Sequence, residues 1–305
     1  MSDDQTRRGL MFALSAYFLW GIAPVYFKWM QHVNAAEIIA HRIIWSLLLL
    51  LAVLIITGKL KQAFLLLPKF KWLLLTAILI SANWLIFVWA VTHERISETS
   101  LGYYINPLVS VLLARLFLFE RLRALQGLAF GFAAIGVLVR LVEYGQLPWV
   151  ALVLAFSFGF YGLVRKHINV PAVAGLAIET MVLAPVAIGY LIWLDYENAL
   201  SFLHINWQTN VLLISAGIVT TLPLLCFAAA VVRLSLISIG ILQYLAPSMS
   251  LIIAVIWFKE PFSLIDLSSF ILIWMGLVVF TWDGFLRTKQ YRLTLANAAA
   301  VKIVK

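Results

Sequence analysis

Arg42, preceded by His41, stands about six residues into a run of apolar residues at 36–57, a depth of about 9 Å at the helical rise. A guanidinium at the middle of a hydrocarbon layer costs about 2.5–3.5 kcal/mol on insertion scales, so the side chain has two outlets. It either faces a wet cavity, where it attracts a carboxylate or another electronegative group, or it snorkels to the nearby edge. Glu179, beside Thr180, is the one carboxylate well inside such a run. It can meet a substrate amine, take up a proton, or stay protonated as a cap on a neighbouring helix. Arg42 and Glu179 approach opposite edges of the layer, so no direct ion pair between them is expected.

Uncharged groups form spaced sets. Ser100, Tyr103, Tyr104 and Pro107 follow i, i+3, i+4, i+7, as do Gly240, Gln243, Tyr244 and Pro247, and each set is one helix face. Each proline frees a carbonyl, and the tyrosines and Gln243 add directed hydrogen bonds. Tyr17, Trp20, Gly21 and Pro24 repeat the spacing in the first run, and Asn83, Trp84 and Phe87 cluster in the third. Tyrosine and tryptophan collect at membrane interfaces, yet Trp20 and Asn83 fall about halfway through their runs. Such faces suit either a pocket for flat amphiphilic molecules or ordinary helix packing. Gly21, Pro24, Pro107 and Pro247 are the candidate hinges. Gly127 and Gly131 form a small-xxx-small pair for packing.

Catalysis finds no footing. There is no G-x-x-x-x-G-K-[ST] run and no G-x-S-x-G, His93-Glu94 lacks a second histidine, and the five histidines are scattered. No cofactor or metal site is expected, and the single Cys226 cannot form an intrachain disulfide.

The elements that must hold these residues follow from composition. Of 305 residues 64% are hydrophobic and 11% charged, with mean hydropathy +1.02; a soluble domain carries about 25% charged residues. Ten apolar runs stand near 9–28, 36–57, 71–92, 97–118, 124–142, 147–164, 172–194, 209–232, 235–258 and 264–286. They are too continuous for outer-membrane strands, which leaves helices, and the first run is not expected to be a removable signal. The net charge of +9 is spread in short clusters between runs, which argues for membrane topology and against nucleic acid. Sixteen Lys and Arg fall on one side, four on the other, and Arg42 and Arg115 inside spans. Arg165 and Lys166 count as loop residues on the richer side, and both termini are expected in the cytoplasm.

Sliding the chain by 140 residues superposes Tyr104, Pro107, Ala114 and Glu120 on Tyr244, Pro247, Ala254 and Glu260. Phe87, Ala90 and Val91 fall on Phe227, Ala230 and Val231, and Gly136 on Gly276. The chain therefore divides into a cytoplasmic start at 1–8, five helices at 9–142, five at 147–286 and a basic cytoplasmic tail at 287–305. An odd number of spans per repeat inverts the second copy, an arrangement carriers use around a midplane site. The expected fold is an all-α integral membrane protein of ten transmembrane helices in two inverted five-helix repeats.

Several stretches together resemble the EamA family of the drug/metabolite transporter superfamily: 16–28 (AYFLWGIAPVYFK), His41-Arg42 with Trp45-Ser46, 81–84 (SANW), 100–108 (SLGYYINPL), 156–166, Glu179-Thr180 and 217–227 (GIVTTLPLLCF). The likeness spans about residues 9–287. It implies a multi-pass carrier of the bacterial inner membrane whose cavity is lined from both halves, with Trp20, Arg42, Asn83, Tyr104, Glu179 and Tyr244 as lining candidates by motif position. Relatives export amino acids, including aromatic ones, other metabolites and drugs; chloramphenicol is a drug to test. The expectation is an alternating-access exporter of small amphiphilic or aromatic metabolites, with a passive channel-like facilitator or a non-transporting membrane subunit as alternatives. Tyr17, His41, Tyr103 and Gln243 complete the substrate-binding candidates. The expected partners are a small-molecule substrate, the lipid bilayer and a second copy in a homodimer.

Overall fold

A computed structural model describes the backbone of residues 3–93, 95–259 and 263–303, and the side chains of these except 3, 91, 92, 96, 97 and 287–303. Among the described residues every regular element is helical: α1 (Asp3–Trp29), α2 (Ala35–Ile56), a short α3 (Leu60–Phe64), α4 (Phe70–Thr92), α5 (Ile96–Phe117), α6 (Ala124–Tyr144), α7 (Trp149–Ile168), α8 (Ala172–Tyr196), α9 (Trp207–Val231), α10 (Leu236–Leu242), α11 (Leu245–Ile256) and α12 (Leu264–Ile303). Ten segments among them are long and apolar enough to cross a bilayer. Phe18, Ile55, Val186 and Leu222 are among the many large apolar side chains left exposed, a surface that lipid solvates and water does not.

The ninth expected span, 235–258, is two helices rather than one. α10 ends at Leu242 and α11 begins at Leu245, with Gln243 and Tyr244 in a turn between them. Pro247 explains the position, because its ring cannot donate to the Gln243 carbonyl and clashes with it. That carbonyl instead accepts from Ala246 N–H three residues on, at 3.3 Å.

The helices fall into two compact units, 1–120 with 147–261 and 121–146 with 262–305. In the first, carboxylates bind backbone N–H groups at helix ends and so fix which ends meet. Glu37 in the first turn of α2 accepts from Ser201 and Phe202 beyond the end of α8, at 2.8 and 3.0 Å. Glu120, just past α5, accepts from Leu236 and Ile237 at the start of α10, at 2.9 and 3.0 Å. The second and fourth helices of one repeat thus run against their counterparts in the other. In the second unit Arg123 pairs with Asp283, and Arg140 with Asp266 at 2.5 Å, so α6 and α12 are antiparallel as well. These are inverted repeats.

The 140-residue shift is visible in the contacts. Tyr244 donates its hydroxyl to the Tyr104 carbonyl at 3.1 Å, so two residues related by the shift touch each other. In the α6/α12 pair a β-carbon at Gly136 would lie 2.8 Å from the Ser269 carbonyl oxygen, and one at Gly276 would lie 2.7 Å from that of Ala129. Positions 136 and 276, and 129 and 269, differ by the same shift. The packing glycine of α6 is therefore Gly136; positions 127 and 131, expected to pack, have no atom within 4 Å of where a β-carbon would sit. Glu260, the counterpart of Glu120, lies outside the described residues.

Glu120 satisfies two donors at a helix start, where the backbone also favours negative charge. Glu120→Ala is expected to cost about 1–2 kcal/mol, and Glu120→Gln less, because the amide oxygen still accepts. Thermal unfolding of the purified chain reads both.

Candidate functional site

Arg42 points inward. Its Nε donates to Thr220 Oγ1 on α9 at 2.6 Å, and its guanidinium carbon lies 4.8 Å from the Trp84 ring centre on α4 and 5.5 Å from that of Phe27 on α1. The residue is half-buried. Tyr103 on α5 is 53% exposed, yet it is close enough to Arg42 to interact with it electrostatically. A side chain both exposed and that near an inward-facing arginine opens onto a hollow between helices, not onto the outside of the bundle. Phe27 of α1, Trp84 of α4 and Thr220 of α9 surround Arg42 of α2, with Tyr103 of α5 within electrostatic reach. Four of these helices belong to the first repeat, and α9 comes from the second.

Glu179 belongs to a different environment. It is 1% exposed and accepts from Thr76 Oγ1 at 2.7 Å, Arg165 Nη1 at 3.1 Å and the Tyr161 hydroxyl at 3.2 Å. Arg165, counted from the sequence as a loop cation, is itself 1% exposed. Tyr161 and Arg165 are one turn apart on α7, which aims a phenol and a guanidinium at the same point. The β-carbon that Gly175 lacks would sit 3.2 Å from the Arg165 guanidinium carbon, so a bare backbone makes room for the charge. Lys69 and Lys166 tie the same end of the bundle to backbone carbonyls, Lys69 to Ile168 at 2.6 Å and Lys166 to Val231 and Leu234.

Aromatic rings separate the two charged groups. Trp20 on α1 packs against Phe158 and Phe227 at 5.7 Å each, Phe158 and Phe227 lie 5.1 Å apart, and Tyr161 stacks on Phe227 at 6.1 Å. These rings join α1, α7 and α9 in one plug directly against the Glu179 network. Asn83 is committed beside it, its amide donating to the Leu154 carbonyl and Ser157 Oγ of α7, both at 2.9 Å.

The other candidates are distributed as follows. Tyr17 is buried, donates to the Ile239 carbonyl at 3.1 Å and lies 5.9 Å from Trp20. His41 is buried against Phe202, ring centres 4.7 Å apart, and its Nδ1 accepts from Trp45 Nε1 at 3.3 Å. Tyr104 and Tyr244 are buried where α5 meets the α10/α11 break, and Gln243 Oε1 accepts from Ser110 there at 3.5 Å. Pro107 sits inside a continuous α5, its carbonyl 2.9 Å from where a Gly240 β-carbon would be. Gly21 lets α11 approach α1: its absent β-carbon would be 2.7 Å from that of Met249, and its carbonyl accepts from Ser250 at 3.1 Å. Pro24 lies inside an unbroken α1, and Pro247 follows the break.

Of the named candidates, Arg42 and Tyr103 share the hollow, Trp20 belongs to the plug with Tyr17 and Asn83 beside it, and Glu179 lies beyond it. Trp84 at Arg42 was read from sequence as part of the Asn83 cluster, whereas Thr220 and Phe27 at Arg42, and Thr76, Tyr161 and Arg165 at Glu179, were not singled out as site residues from sequence. The i, i+4 spacing of Tyr161 and Arg165 is a sequence signal for one shared face. Nothing local links Thr76 to Glu179, or Thr220 to Arg42.

The fold agrees with the chain's similarity to known proteins. Residues 7–142 and again 148–282 match the EamA-like transporter family. The chain belongs to that family, and it is a multi-pass membrane protein of a transporter family. An uncharacterized transporter of Vibrio cholerae is 49% identical, over 93% of this chain and 96% of the relative. Protein RarD of Salmonella typhi is 47% identical, over 93% and 98%. A solved crystal structure shares the fold with a TM-score of 0.69 at 18% identity, covering 92% of this chain and 98% of that one.

Proposed function

We propose that this chain is an alternating-access carrier of the bacterial inner membrane that exports small amphiphilic or aromatic metabolites through the hollow at Arg42. The observation that carries the reading is an inward-facing guanidinium, walled by Trp84 and Phe27, bonded from one repeat to Thr220 of the other. A cation held at membrane depth and open to a hollow is expensive unless a ligand meets it, and inverted halves can expose such a site to each side in turn. The bias of Lys and Arg supports cytoplasmic termini, which puts the Arg42 end outside and the Glu179 end inside. In this orientation the plug of Trp20, Phe158, Tyr161 and Phe227, backed by the Glu179–Arg165 pair, is the inner closure. Opening inward then requires Phe227 to part from Trp20 and Tyr161, with the α10/α11 turn absorbing the backbone change.

Counterflow in proteoliposomes tests the proposal. Vesicles preloaded with aromatic amino acids, aromatic acids or chloramphenicol are expected to accumulate the labelled compound transiently and with saturation for at least one class. Flux that rises linearly with concentration and shows no counterflow would mean a passive pore.

A further inference from the structure

The charge balance of the hollow selects its ligand. Arg42 spends its Nε on a neutral hydroxyl, and no carboxylate lies within the 4.0 Å ion-pair distance of it among the described residues. Its terminal N–H fork has no protein acceptor there. The carboxylates at membrane depth in the same unit are engaged elsewhere. Glu179 takes three donors beyond the plug, and Glu98 binds Arg95 and the Val150 N–H. Glu37 holds the Ser201 and Phe202 N–H groups through Oε1, which also lies 3.9 Å from His41 Nε2; its second oxygen and that Nε2 have no hydrogen-bond partner among the described residues, but both residues are sealed from the hollow at 0% and 3% exposure. The hollow therefore presents a positive charge and, among the described residues, no negative one to offset it.

We propose that the hollow binds an organic monoanion: a small flat molecule with one carboxylate that pairs end-on with Arg42 and an apolar ring that lies against Trp84, Phe27 and Tyr103. This rests on the carrier reading and narrows its substrate. The Thr220 bond fixes the guanidinium plane and leaves the end fork, whose parallel N–H groups match the two oxygens of a carboxylate. One cation in a low-dielectric site is neutralised by one anion, whereas a dianion leaves a charge uncompensated. A substrate ammonium finds no counter-charge, so a zwitterionic amino acid binds more weakly than the same acid without its amine, and a plain amine more weakly still. The ring faces supply the area for an aromatic or similarly flat body.

A monoanionic lipid phosphate shares this charge, so the test separates the two sources. Binding of phenylacetate, phenylacetamide, phenethylamine and phenylalanine to the full-length protein is measured calorimetrically at neutral pH, in phosphatidylcholine nanodiscs with and without phosphatidylglycerol. Phenylacetate is expected to bind at least about thirtyfold more tightly than phenylacetamide, as a charge-assisted bond implies, with phenylalanine between them and phenethylamine weakest. Arg42→Gln should bring phenylacetate down to the amide's level, and Arg42→Lys should restore part of the difference. Amide or amine binding as tightly as the acid in the wild type, no binding of any of the four, or phosphatidylglycerol abolishing phenylacetate binding each overturns the proposal. The wild-type comparison stands even if a variant fails to fold. Counterflow of the same compounds, corrected for protein-free vesicles, tells the two readings apart. Acid that binds through Arg42 without exchange removes the carrier and keeps the ligand class; saturable exchange that ignores charge keeps the carrier and removes the ligand class.

Discussion

Arg165→Met is expected to destabilise the chain by about 3–5 kcal/mol, because it leaves Glu179 as an uncompensated buried charge. Thermal unfolding in detergent should show a drop on the order of 10 °C at about 2–4 °C per kcal/mol. Glu179 would retain Thr76 and Tyr161, two neutral donors that cannot replace a guanidinium. The double variant Arg165→Met with Glu179→Gln removes both charges and should recover more than half of the loss, since apolar and neutral replacements for a buried pair are often tolerated. If the single variant melted with the wild type, the pair would not be the buried contact described. The same variants report on closure: the single change should raise the accessibility of the Glu179 end, because the pair backs the aromatic plug.

The second large effect is at the contact between α2 and α9. A β-carbon at Gly217 would lie 2.5 Å from the Trp45 β-carbon, 2.7 Å from its carbonyl carbon and 2.9 Å from the Ser46 nitrogen. Two of those three neighbours are backbone, so the helices must move apart. The hydrogen bond from Ser46 Oγ to the Gly217 carbonyl, 3.2 Å, would be lost with them. Arg42 and Thr220 sit about one turn along the same two helices, so the displacement reaches their bond. Gly217→Ala is expected to cost about 1–3 kcal/mol and to lower transport at least about tenfold, since a shift of about 1 Å in a positioned group can cost about a hundredfold. Gly189→Ala is the control, because nothing lies within 4 Å of where its β-carbon would be. Equal transport by both variants would separate the α2/α9 contact from function.

Much of this was legible in the sequence, for reasons that differ by residue. The spans could be read because a bilayer demands long apolar runs, and the inverted repeat because its two copies keep matching residues 140 apart. Pro247 marked the place where the ninth span breaks, but a proline does not say whether its helix bends or ends; Pro107 sits in a continuous helix and Pro247 follows a break. Arg165 was hidden by its address. A cation beside Lys166 at the end of an apolar run counts as a loop residue, and only the fold shows it turned back toward Glu179. Arg42 and Glu179 were visible as misfits in hydrocarbon, yet their partners Thr220 and Thr76 are 178 and 103 residues away, beyond any local pattern. The glycine pairs teach the same lesson. Gly127 and Gly131 have the packing spacing, but Gly136 and Gly276 make the contact, and the repeat register distinguishes them where spacing does not.

The central claim is a hollow at Arg42 that faces one side of the membrane at a time. A single cysteine replacing Tyr103, in a chain whose native Cys226 is changed to serine, tests it with a membrane-impermeant maleimide applied to right-side-out and inside-out vesicles. The account predicts labelling from one face only at rest, transferred to the other face when substrate is supplied from the opposite compartment. Simultaneous labelling from both faces, or no more labelling than at a lipid-facing Val186→Cys control, would contradict it.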